Sequence, residues 1–137
     1  MEIISSILYI LLFVFCLSVL IVVHECGHLI AAKSFNVYCH EFSIGFGPKI
    51  FSKKRRFGET YFSMRCIPFG VYVSMYGEGV EIPDGNGGIK EIAPQRSLNG
   101  IAKWKRAIIL LAGVTMNALL ALTVFFFYAG CCLKTDL

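Results

Sequence analysis

A charged motif interrupts an otherwise apolar run. From Ile7 to Val23 the chain has no charged residue, His24-Glu25-Cys26-Gly27-His28 follows, and apolar character continues to Ala32. That is enough for one bilayer crossing, which takes roughly 20 residues. Ionisable side chains inside such a helix cost roughly 2.5–3.5 kcal/mol each even on lenient scales, and they usually mark function. Residues four apart lie on one helix face, so His24 and His28 direct two imidazoles at one metal while Glu25 stands beside them as base for a water. The H-E-x-x-H pattern therefore points to zinc-hydrolase chemistry set in a membrane. The bland alternative is a pair of neutral histidines hydrogen-bonded within a helix bundle.

The 137 residues are 56% hydrophobic and 16% charged, with a mean hydropathy of +0.68. A small water-soluble domain has difficulty hiding that balance from solvent. A second uncharged stretch runs from Ala107 to Leu133. The first apolar segment lacks a basic n-region and a small-residue cleavage site, so it reads as a retained signal-anchor helix. Of 13 Lys and Arg, only Lys134 lies outside Lys33–Arg106, and basic residues flank the spans at Lys33, Lys103, Lys105 and Arg106. The connecting segment is therefore expected in the cytoplasm, with both termini extracytoplasmic. The net charge of +4 then reports topology and anionic headgroups, and no nucleic-acid partner is expected.

Six cysteines show no C-x-x-C spacing, which excludes a zinc knuckle or a dithiol redox motif. Cys26 lies within the motif but two positions from each histidine, on another face, and is not expected to be a ligand. Gly27 either lets another backbone approach the metal or serves helix packing. With 1.5 Å rise per residue, His28 and His24 lie roughly 7 and 13 Å along the helix from Lys33, within reach of cytoplasmic water.

After Asn36, the glycines and proline of Glu41-Phe-Ser-Ile-Gly-Phe-Gly-Pro48 suggest a loop or short strand. Thr60–Cys66 and Gly70–Tyr76 alternate, with Phe62, Met64 and Cys66 on one face and Val71, Val73 and Met75 on one face of the next run. Pro68-Phe69-Gly70 separates them, which predicts a hairpin. So apolar a hairpin leans on helices or the bilayer interface. Its edge either pairs with an extended substrate strand, through Gly70, Val71, Tyr72 and Val73, or is a packing element. The turn-rich Pro83–Gly88 stretch is assigned no chemistry. Ser97–Arg106 reads as a short interfacial helix capped by Ser97 or Asn99, with Trp104 at headgroup level. Asn117 sits about 16 Å into the second span, near the depth of His24. There it either hydrogen-bonds a motif histidine, a metal-held water or a substrate carbonyl, or makes a plain helix contact. Gly113 and Ala112 permit close packing.

The expected fold is a mainly α-helical membrane protein. It comprises a first transmembrane helix over 1–33, a loop and membrane-associated β-hairpin over 34–96, an interfacial helix over 97–106, and a second transmembrane helix over 107–133.

With these residues in place, the chain resembles the site-2 protease family of intramembrane zinc metalloproteases, in particular the bacterial branch that cuts membrane-anchored regulators. The carriers are Val23-His-Glu-Cys-Gly-His28, Phe42-Ser-Ile-Gly-Phe-Gly-Pro48, Ile67-Pro-Phe-Gly-Val-Tyr-Val-Ser-Met75 and Ala112-Gly-Val-Thr-Met-Asn117. Gly70-Val71 stands where the family usually has paired glycines, and Val114 where it usually has proline. The resemblance implies a zinc ion held by His24 and His28, with Glu25 as catalytic base, in a bacterial plasma membrane. It implies hydrolysis of single-span substrates such as an anti-sigma factor or a signal-peptide remnant.

The family's third zinc ligand, an aspartate in a Leu-Asp-Gly motif of a later span, has no counterpart here. Asp136 falls on the far side of the membrane, and His40 lies twelve residues past His28. The chain thus reads as a single incomplete membrane protease domain that needs a C-terminal portion. A truncated, non-catalytic anchor, partner or half of a split protease is the alternative.

Overall fold

Uninterrupted apolar sequence builds helix α1, Glu2–Ser34, in a computed structural model that describes residues 2–54, 58–77 and 92–135. Lys33 in the last turn complements the helix dipole. The helix closes at Asn36, whose φ of 60° is left-handed. The Val37 N–H donates to the Ala32 oxygen at 2.9 Å and the Asn36 N–H to that of Lys33 at 3.0 Å. This is a Schellman closure, and asparagine tolerates the left-handed position it requires.

Two long strands follow, β1 (Cys39–Lys54) and β2 (Tyr61–Met75), paired antiparallel. The first half of β1 pairs with the end of β2, as in Phe42 with Val73 and Ile44 with Val71. Its second half pairs with the start of β2, as in Ser52 with Ser63 and Lys54 with Tyr61. Both strands bend, so Glu41–Ile44 also lies beside Tyr61–Met64 and becomes the middle of a narrow sheet. Gly45 and Gly70 lie at the bends with φ of 90° and 83°. A Cβ on Gly45 would strike the Ile67 carbonyl, and one on Gly70 the Phe46 ring, so both the backbone angle and the close approach demand glycine.

Three expectations are corrected here. The runs at 60–66 and 70–76 are not the two arms of a hairpin turning at Pro68-Phe69-Gly70; they are halves of β2, and their partner is β1, drawn from the stretch read as loop. Glycines that look like breakers locally act as bends within a strand when non-local pairing holds it. With strands of 16 and 15 residues beside helices of 33 residues each, the fold is mixed helix and sheet, not mainly α-helical. Nor is there a separate interfacial helix over 97–106. A 3-10 turn spans Pro94–Arg96, and the Ser97 hydroxyl accepts the Asn99 N–H at 3.2 Å within its own turn. The Ala102 carbonyl already accepts the N–H groups of Lys105 and Arg106, so the second span begins early, as α2 (Lys103–Thr135). The Pro83–Gly88 stretch and Asp136 lie outside the described residues.

Leu29 and Ala32 of α1, Ile109 of α2, Phe42 of β1 and Val71, Val73 and Met75 of β2 form one buried cluster. The core thus sits where the sheet meets the basic ends of both helices. Away from it the helices are bare: Phe13 is 66% exposed and Phe127 81%. Both helices are long and apolar enough to cross a membrane. Bare apolar helices suit lipid, where all backbone polar groups must be satisfied internally, and the chain is a membrane protein.

Candidate metal centre

The i, i+4 spacing on α1 turns the two motif imidazoles onto one spot. The Nε2 atoms of His24 and His28 are 3.1 Å apart, and the rings meet edge-on with centroids 4.8 Å apart. Ligand atoms of His24, Glu25 and His28 all lie within 4.8 Å of one another, and all three residues are half-buried. Two nitrogens at about 2.0–2.1 Å from one tetrahedral ion would be separated by roughly 3.3 Å, close to the observed spacing. Two imidazoles are a donor pair that suits zinc, with the Glu25 carboxylate close beside it.

Helix α2 supplies the wall opposite. Gly27 is the contact point: a Cβ there would fall 2.5 Å from the Ala112 carbonyl oxygen and 2.7 Å from Met116 Cγ. A Cβ on Gly113 would fall 2.5 Å from His28 Nε2 and 2.6 Å from His24 Nε2. The space beside both nitrogens is therefore space that any other residue at 113 would fill. One helical turn to either side, α2 engages the far nitrogens of the same rings. His28 Nδ1 lies 2.8 Å from the Ile109 carbonyl oxygen, and His24 Nδ1 lies 3.4 Å from the Asn117 side-chain amide. Ile109, Gly113 and Asn117 are spaced by four and share a face.

The other expected site residues have different settings. Val71 and Val73 are buried in the core, Gly70 serves the bend, and Tyr72 joins a polar network that the sequence reading missed. The centre of that network is Glu41, 5% exposed, 3.2 Å from Lys49 Nζ and 3.3 Å from Arg65 Nη2. Arg65 also donates to the Ser43 hydroxyl at 2.9 Å, the Gly47 carbonyl at 2.8 Å and the Tyr72 hydroxyl at 2.6 Å. Burial alone would raise the Glu41 carboxyl, but hydrogen bonds from Ser63 and Lys49 and the charges of Lys49 and Arg65 outweigh it and hold it below 4.5. The available signal was Glu41, the single acidic residue of β1, and Arg65, the single charged residue of β2. His40 lies apart from the histidine cluster with its ring against Tyr61, and Cys26 packs against the core. Trp104 is 59% exposed, edge-on to Phe35 and under the Lys105 ammonium.

The model of peptidase family M50 matches residues 12–133. A Clostridium perfringens protein with the name "Putative zinc metalloprotease" is 42% identical over 118 residues, which cover 86% of this chain and 32% of the relative. A Thermotoga maritima protein of the same description is 42% identical over 114 residues, 82% of this chain and 21% of the relative. One from Chlamydia pneumoniae is 38% identical over 123 residues, 88% of this chain and 19% of the relative. The chain thus spans from a fifth to a third of the length of these curated relatives.

Proposed function

Because the chain belongs to peptidase family M50, the site-2 protease family, we propose that it carries the metal-binding part of a zinc-dependent intramembrane endopeptidase. The enzyme cleaves transmembrane segments of membrane-anchored substrates in regulated intramembrane proteolysis. The observation that carries this reading is the convergence of His24 and His28 Nε2 at 3.1 Å, with Glu25 beside them, inside a helix built for lipid.

His24 and His28 hold the zinc, and an aspartate from a further segment of polypeptide completes its protein ligands. Zinc, when bound, supplies a Lewis acid that polarises the scissile carbonyl and makes a water more acidic. Glu25 takes the proton of the attacking water onto its carboxylate and delivers it to the leaving amine nitrogen. Gly113 keeps the approach to the two ring nitrogens clear. A substrate helix must unwind before it is cut, and the strand at Gly70–Val73 receives it along the edge not paired with β1. The side chains of Val71 and Val73 are buried, so that recognition runs through main-chain hydrogen bonds.

The relatives are bacterial, which supports a plasma-membrane location. The basic residues between Lys33 and Arg106 support a cytoplasmic central segment with both termini outside. Exposed Phe46, Ile50, Phe51, Phe62, Met64 and Ile67 on the sheet support its lying against the membrane. The fitting substrate is a single-span membrane protein such as an anti-sigma factor or a signal-peptide remnant.

The test is zinc content and cleavage of a single-span reporter by the full-length protein that contains this chain, beside its His24→Ala, His28→Ala variant. Zinc and cleavage in the parent, both lost in the variant, are expected. Cleavage that survives the double substitution would overturn the reading.

A further inference from the structure

A carbonyl oxygen only accepts, so the 2.8 Å contact between His28 Nδ1 and the Ile109 carbonyl places the proton of the neutral His28 ring on Nδ1. Its Nε2 is then a bare lone pair, ready for a metal. His24 is different, because its Nδ1 faces a side-chain amide that can present either end. With the Asn117 nitrogen toward His24, at 3.4 Å, His24 Nδ1 accepts and the ring proton lies on Nε2. That proton points across 3.1 Å to the lone pair of His28, and the two ligand nitrogens close on each other through a hydrogen bond. The Asn117 oxygen is then buried with no partner among the described residues, an unfavourable state for a buried acceptor. With the amide turned by half a rotation, its oxygen accepts from His24 Nδ1–H and both Nε2 lone pairs are free.

We propose that Asn117 is a positioning residue that selects the metal-ready tautomer of His24, its amide turning over when the ion binds. The proposal rests on the zinc reading above. A proton on His24 Nε2 closes the pair against a metal by hydrogen bonding to His28, and moving that proton to Nδ1, where the amide oxygen receives it, opens both lone pairs. His28, braced by main chain, keeps one tautomer throughout. The half-turn needs no change in side-chain volume, so the switch fits inside a packed helix crossing.

The test is histidine side-chain nitrogen NMR of this chain in detergent at about pH 8.5, above the range where free imidazoles are protonated, before and after zinc. Wild type is expected to carry the His24 proton on Nε2 without zinc and on Nδ1 with it, while the His28 proton stays on Nδ1. Asn117→Asp, which can only accept, is expected to hold His24 in the Nδ1–H form without metal and to bind zinc at least as tightly as wild type. Asn117→Leu is expected to weaken zinc roughly 10–100-fold, the range for loss of a partner to a metal-bound imidazole. A His24 tautomer indifferent to residue 117, or equal zinc affinity in Asp and Leu variants that both bind, would overturn the proposal. Should wild type bind no zinc even when the segment that supplies the third ligand is present, the zinc reading fails, while the zinc-free tautomers of wild type and the Asp variant still decide the role of Asn117.

Discussion

The Nδ1 atom of His28 and the carbonyl oxygen of Ile109 are 2.8 Å apart across 81 residues of sequence. One motif histidine is thereby oriented by the main chain of the other helix, a partner that no side-chain substitution removes. The centre is consequently most open to perturbation at the positions that shape its free space.

Gly113 is the most sensitive of these. In Gly113→Ala the new methyl would lie 2.5 and 2.6 Å from the two Nε2 atoms, so either the imidazoles or α2 must move. Zinc affinity should fall by at least about tenfold, with an overpacking cost of about 1–3 kcal/mol. Zinc titration and thermal unfolding in detergent check both effects.

Glu25 should separate chemistry from metal binding. Glu25→Gln in the full-length protein is expected to keep zinc, which the two imidazoles still hold, and to lower reporter cleavage on the order of 10²–10⁴-fold, as loss of a general base does. Metal analysis and gel-based cleavage on the same preparation suffice. Undiminished cleavage would remove Glu25 from the role given to it.

Glu41 should matter to the sheet and not to the metal. Glu41→Leu leaves the Arg65 guanidinium, 20% exposed, without its carboxylate. The expected cost is about 3 kcal/mol, at the low end for a broken buried pair because Lys49 is 46% exposed. Zinc affinity should be unchanged, and amide exchange across Ser43, Ser63 and Tyr72 should accelerate.

The same carboxylate sets an acid limit. Its folded pKa lies below the ordinary 4.5, so the unfolded state binds the proton more readily and stability rises with pH through this window. The contribution is fully present above 4.5 and is lost as pH falls through the lowered value. Thermal midpoints from about pH 6 to pH 3 should decline in wild type more steeply than in Glu41→Gln, which has no proton to take up there.

Both helices were legible because each is a local property: an uncharged run long enough for lipid, with the four-residue spacing of His24 and His28 fixing a common face. Asn117 could be placed at the depth of His24 by counting turns. β1 was not legible, because Gly45, Gly47 and Pro48 carry local breaker signals while the pairing that makes a strand of them comes from residues beyond Thr60. The Glu41 network was hidden for the same reason, as Arg65 and Tyr72 reach it from 24 and 31 residues away. Gly113 was read as a packing residue; that it borders the two ring nitrogens depends on the rotation of α2, which composition does not specify.

His24 and the amide that meets it are 93 residues apart. A ribosome adding about 5–20 residues per second needs on the order of 5–20 s to travel that distance. Throughout the interval α1 carries its histidines without either brace from α2. The centre is thus assembled late in biosynthesis, when the second helix comes to lie beside the first and braces the two imidazoles.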